Sequence, residues 1–328
     1  MRRGDCRRDV FILLATECLQ MTSAILAGLA PVFLVMALGY VAGWTKDFDN
    51  HNIDSLNALV MDFALPAALL TAMAQAPREA MIAQSRLALV FLIATLVVFA
   101  LTYLLEIRLF RSDPRESALI ALTASGPNVG SAGLPIVAAL FDKSASISVA
   151  IAVAVAAIVL TPLSLLLLES AGGGGRSPLA IVKDALAKPI VIAPVLGCLI
   201  SFAALPVPPL LDSTLTLVGQ GASGTALFLT GLVLSAQKVR LTPNVGLAAG
   251  IKNILQPSLT ALLAIPLLDS VEMRLAVMLT AVPSGAFGVL FAIRYNVASS
   301  QIGTMLIAST LASTVTLTAA MLLSGGWS

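Results

Sequence analysis

The sequence predicts an all-α polytopic membrane protein, ten transmembrane helices arranged as a 5+5 inverted repeat in which spans four and nine are broken and cross. Three observations predict it. Apolar residues fill 58% of the 328 positions and charged residues only 11%, with mean hydropathy +0.98; a soluble domain carries about 25% charge. Long apolar runs recur along the whole chain, and a shift of 157 to 158 residues lays the second half over the first.

The runs lie near 24–43, 55–74, 86–105, 116–140, 146–168, 187–204, 213–235, 246–268, 273–293 and 301–323. Each approaches the ~20 residues a helix needs to cross ~30 Å of hydrocarbon, where lipid offers the backbone no hydrogen bonds. Ahead of them, Arg2, Arg3, Arg7 and Arg8 precede a short apolar stretch from Val10 to Ala15. That stretch is short for a signal sequence and no small-residue cleavage site follows. Residues 1–20 are therefore expected to be a dispensable extension, with Met21 the alternative start.

Basic residues in short loops accumulate on the cytoplasmic side. Lys46, Arg108, Arg111, Arg115, Arg176, Lys183, Lys188, Lys238, Arg240 and Arg294 follow odd-numbered runs, against Arg78, Arg86, Lys143 and Arg274 on the other side. Both termini are thus expected outside the cytoplasm of a bacterial inner membrane. The expected divisions are a first five-helix repeat over 21–170, a Gly-rich cytoplasmic linker over 171–186 and a second repeat over 187–328.

In the overlay, Pro31 meets Pro189, and Asp54-Ser55 meets Asp212-Ser213. Leu122-Thr123-Ala124 meets Leu279-Thr280-Ala281. Leucine and alanine matches carry little weight in so small an alphabet; the shared register, the prolines and the Asp-Ser pair carry more. An odd number of spans per repeat gives the halves opposite polarity, an architecture recurrent in secondary transporters.

Corresponding positions are interrupted. One run reads Gly126-Pro127-Asn128-Val129-Gly130 and continues to Pro135; the other reads Pro283-Ser284-Gly285. Proline removes a backbone donor and glycine widens the accessible conformations, so both runs should unwind at mid-membrane. Unwound backbone at that depth must be buried in protein or line a wet cavity. The half-helix ends that follow offer unpaired N–H groups and a positive dipole end, which suits a carboxylate, and Asn128 adds an amide donor. These nine residues form the expected binding site for a small organic anion.

At this point the sequence resembles the auxin efflux carrier family, in the superfamily of the bile acid sodium symporters. The resemblance covers residues 21–324. It rests on Ala30-Pro31-Val32-Phe33 with Leu38-Gly39-Tyr40, on Ala64-Leu65-Pro66, on Asn128-Val129-Gly130 with Gly133-Leu134-Pro135-Ile136, and on Pro283. It implies ten spans, two broken helices crossing at the substrate site, and alternating access by one bundle moving against the other. It also implies that Asn128 and the residues around Pro135 and Pro283 line the crossover. The long cytoplasmic loop of the plant exporters is missing, so the chain is similar to the compact bacterial members, which include malonate-transporter-like carriers.

Charge inside a span costs about 2.5–3.5 kcal/mol on insertion scales, which marks Asp62 as the candidate for ion coupling. Its overlay partner is the neutral Gln220. Lys252 is expected to snorkel from the cytoplasmic start of span eight. A proton is the expected coupling ion, with membrane potential as a second driving force; sodium would need an oxygen cage for which the sequence offers Ser284 and carbonyls but no acid.

Cys6, Cys18 and Cys198 lack metal-ligand spacing, and His51 is the only histidine, so neither a metal site nor histidine-dependent catalysis is expected. No cofactor and no nucleic-acid partner are expected, and the enzyme reading has little support. The expected function is secondary active transport of a small, malonate-like carboxylate, with the lipid bilayer as solvent and a homodimer left open. A sodium-coupled symporter and a non-transporting sensor of the same fold are the alternatives.

Overall fold

The computed structural model describes residues 30–323 except 49, 134–135, 138–139, 142–144, 173–176, 237–238 and 299. The described residues are helical almost throughout. In order they form α1 (Ala30–Trp44), α2 (Ile53–Gln75), α3 (Ser85–Arg108), α4 (Pro114–Ser125), α5 (Ile147–Ala171), α6 (Pro189–Phe202) and α7 (Pro209–Ser235). Next come α8 (Pro243–Gly250, Ile251–Leu255 and Gln256–Ala264 in one run), α9 (Ser270–Ala281), α10 (Phe287–Arg294) and α11 (Ser300–Leu323).

Among the described residues α2, α3, α5, α7 and α11 are long and apolar enough to cross a membrane, and α1 and α6 are shorter apolar helices. Short helices Arg78–Ala83 and Pro178–Leu186 occupy connections. The second places an ordered element within the segment expected to be a Gly-rich linker.

Prolines inside the long helices are accommodated by one local device. Pro66, Pro162 and Pro257 each follow a π-helical turn, Leu59–Ala64, Ala156–Leu160 and Ile251–Leu255. The residue before each proline donates five positions back: Leu65 to Val60, Thr161 to Ala156, and Gln256 to Ile251. The wider turn takes up the proline's missing donor and its ring, so the helix continues where an α-helical turn would clash.

Glycines set the closest helix crossings. A Cβ added to Gly39 of α1 would lie 1.9 Å from Phe228 O of α7, and one on Gly231 of α7 would lie 1.9 Å from Met36 O of α1. Gly197 holds α6 against Leu70 O of α2, and Gly219 holds α7 against Ala68. These contacts join α1, α2, α6 and α7 into one layer. The second layer packs α3 on α4 and α8, α8 on α9 and α11, and α4 on α5 and α10. Between the layers lies the ground on which the two interruptions meet.

Candidate functional site at the paired interruptions

Both helices that lead into the interruptions begin with a strong capping signal and end at a defined residue. Asp113 caps α4 by accepting from Arg115 N at 2.9 Å and Glu116 N at 3.2 Å, with Pro114 in the first turn. Asp269 and Glu272 form a capping box on α9. Reciprocal capping satisfies amide donors the first turn leaves unpaired. The helices stop at Ser125 and Ala281, immediately before Gly126-Pro127 and Val282-Pro283.

The extended segments that follow lie antiparallel, with Pro127 bridged to Ser284. Asn128 N donates to Pro283 O at 2.7 Å and Gly285 N donates to Gly126 O at 2.8 Å. Gly285 permits the approach: a Cβ there would stand 3.2 Å from Gly126 O. Backbone groups that each interruption strands are thereby satisfied by the other, as burial demands.

Side chains of α8 and α11 complete the support. Gln256 Nε2 donates to Ser125 O at 2.8 Å, on the last carbonyl of α4. Lys252 Nζ donates to Thr280 O at 2.5 Å, in the last turn of α9. Two residues of one helix thus bind C-terminal carbonyls of both α4 and α9, whose partial negative charge favours such donors. Ser309 Oγ accepts from Ser284 N at 3.0 Å and donates to Asn253 Oδ1 at 2.8 Å, while Asn253 Nδ2 donates to Ser309 O at 2.9 Å.

Against the crossing, between the two layers, lies a cavity of about 490 Å³. The interruptions contribute Pro127, Asn128, Val129, Gly130, Gly285 and Ala286 to its wall; α2, α5, α7 and α10 supply mostly small or apolar side chains. Gln220 and Ser223 of α7 join Asn128 as its polar side chains, and none of its described lining residues is charged.

Of the residues singled out from sequence, Gly126, Pro127, Asn128, Val129, Gly130, Pro283, Ser284 and Gly285 come together here. Gly126, Pro283 and Ser284 stand behind the wall, where Ser284 is buried and its Oγ has no partner among the described residues. Pro135 lies outside the described residues. Asp62 is away from the cavity, about a third exposed, and paired through Oδ2 with Arg294 Nη1 at 2.7 Å.

Lys252 corrects an expectation. It does not snorkel: it is fully buried, because α8 begins at Pro243 and carries the residue into the helix interior. Sequence reasoning also passed over Gln256, Asn253, Ser223 and Ser309. The polar residues inside an apolar run, at Lys252, Asn253 and Gln256, were the available signal for α8.

A family model described as "Membrane transport protein" matches residues 24–321. The chain belongs to the membrane transport protein family. This is the auxin efflux carrier family that the motifs indicate. Within the family, "Uncharacterized transporter YfdV" of Escherichia coli (strain K12) is 30% identical over 283 residues, covering 84% of this chain and 90% of the relative. The protein of that name in Shigella flexneri matches equally. A protein of Rhizobium meliloti (strain 1021) named "Putative malonate transporter" is 24% identical over 296 residues, covering 88% and 92%. Family membership and the apolar helices make this an integral membrane protein of a transporter family.

Proposed function

We propose that the chain is a secondary active carrier for a small organic anion, working by alternating access with the paired interruptions as its binding site. The observation that carries the reading is the cavity at the interlocked segments, open to Asn128 and to the first turns of two half-helices. Neutral donors and positive dipole ends bind a carboxylate without an opposing charge that would have to be stripped away at release. An apolar remainder of the wall suits a solute with few further charges.

The architecture in this reading is ten spans in a 5+5 inverted repeat, with α4 and α9 the first halves of the broken spans. Support comes from the overlay in sequence and from the matching sites of interruption, Pro127 and Pro283, each two residues after a helix end. The two layers are the bodies that move, with α1, α2, α6 and α7 as one and the crossing helices in the other. Both termini face outward from a bacterial inner membrane. Driving force comes from a proton or from membrane potential; Asp62 is the proton carrier that the sequence alone suggests.

Uptake of labelled malonate and other small carboxylates into proteoliposomes, under imposed pH, sodium and potential gradients, tests the proposal. Saturable uptake lost in Asn128→Ala supports it. Uptake that depends on a sodium gradient selects the symporter alternative, and binding without flux selects a sensor.

A further inference from the structure

We propose that Lys252 carries the coupling proton, a step that rests on the carrier reading above. Lys252 is the one fully exposed-to-nothing cation of the described residues, with a relative accessibility of 0%. Its single hydrogen-bond acceptor among them is a neutral carbonyl, Thr280 O. No carboxylate among the described residues bonds to it.

Its neighbours on every packed element bear this out. α8 and α11 carry no other titratable side chain. The helices α3, α4 and α9 carry Arg86, Tyr103, Glu106, Arg108, Arg115, Glu116, Glu272 and Arg274, all within the first or last two turns. Glu106 is bonded to Ser112 and to Asn244, eight residues before Lys252 and so about 12 Å away along the helix. Thr95, which stands 157 positions before Lys252, bonds its own helix at Phe91 O, so the cation stands on one side of the crossing only.

The charge arithmetic follows from this isolation. A lone charge in a medium of low polarity is costly, and the cost falls when an opposite charge enters nearby. With an anion in the cavity, the Lys252 ammonium makes the interior neutral overall. With the cavity empty, the neutral amine does so, its proton having passed to water on the side the site faces. Only these two states cross the membrane readily, so anion and proton travel together. The link to the site is short: Asn253, the next residue, is bonded to Ser309, which is bonded to Ser284 N in the interruption. Asp62 is the less suitable group, because Arg294 already neutralises it outside the cavity.

Two variants in proteoliposomes test this, each checked for monodispersity. Lys252→Arg keeps the charge and cannot release it, so anion exchange at uniform pH persists while net uptake driven by a pH gradient falls about tenfold or more, an ordinary size for coupling between two sites. A structural role would instead be rescued by arginine in both assays. Lys252→Met loses the pH response, and its uptake becomes sensitive to a potassium-valinomycin potential. Net uptake that still follows the pH gradient in either variant overturns the proposal, as does wild-type net uptake indifferent to pH gradients. Absence of exchange of any carboxylate in wild-type vesicles is a separate result, which removes the carrier reading itself.

Discussion

The amide of Asn128 donates to Pro283 O at 2.7 Å across the two interruptions. This bond ties a residue of the first half of the chain to one of the second, at the edge of the cavity, and fixes where the Asn128 side chain enters the wall. Asn128→Ala removes the side-chain amide and leaves the backbone bond. Transport should fall about tenfold or more, the value of one good hydrogen bond to a charged group, with expression and thermal stability unchanged. Labelled-carboxylate uptake and a melting curve on the same preparation check both halves of the statement.

Gln256 offers a test of the support behind the site. Gln256→Leu leaves Ser125 O without its side-chain donor in a buried place. A loss of about 1–3 kcal/mol is expected for an unsatisfied buried carbonyl, seen as a lower melting temperature in detergent.

The α1–α7 crossing depends on glycine. Gly231→Val puts branched carbon where Met36 O already stands, and the two helices must part. Overpacking of this kind costs about 1–3 kcal/mol. Thermal unfolding should show the loss, whereas Gly246→Val, where an added Cβ meets nothing within 4 Å, should cost nothing, valine being a better helix former than glycine.

The Asp62–Arg294 pair spans the two layers and is about a third exposed on each side. Solvent screening limits such a pair to about 0.2–1 kcal/mol. Asp62→Asn should therefore change stability little and keep the response to a pH gradient. Loss of that response would assign the coupling proton to Asp62 in place of Lys252.

Local features were legible in the sequence because they have local causes. Apolar runs mark helices, and Gly126-Pro127 and Pro283 mark where two of them stop. The overlay of the halves placed Pro127 and Pro283 in corresponding runs, so their meeting could be anticipated. What escaped was distant pairing. Lys252 finds Thr280, Gln256 finds Ser125, and Arg294 finds Asp62, partners 28, 131 and 232 positions apart. No periodicity reports such a contact, and Lys252 was misjudged because its depth depends on where α8 begins. The π-helical turns were hidden for another reason: a proline in a run announces a disturbance without saying whether the helix ends, as before Pro127, or widens and continues, as at Pro257.

The most direct test of the central claim is flux of labelled malonate and a panel of small carboxylates into proteoliposomes holding the wild-type chain, with Asn128→Ala alongside. Saturable carboxylate uptake by the wild type, lowered about tenfold or more in the variant, is the predicted result. Equal uptake in both would contradict placement of the site at the crossing, and no uptake of any carboxylate by a well-folded preparation would contradict the anion carrier itself.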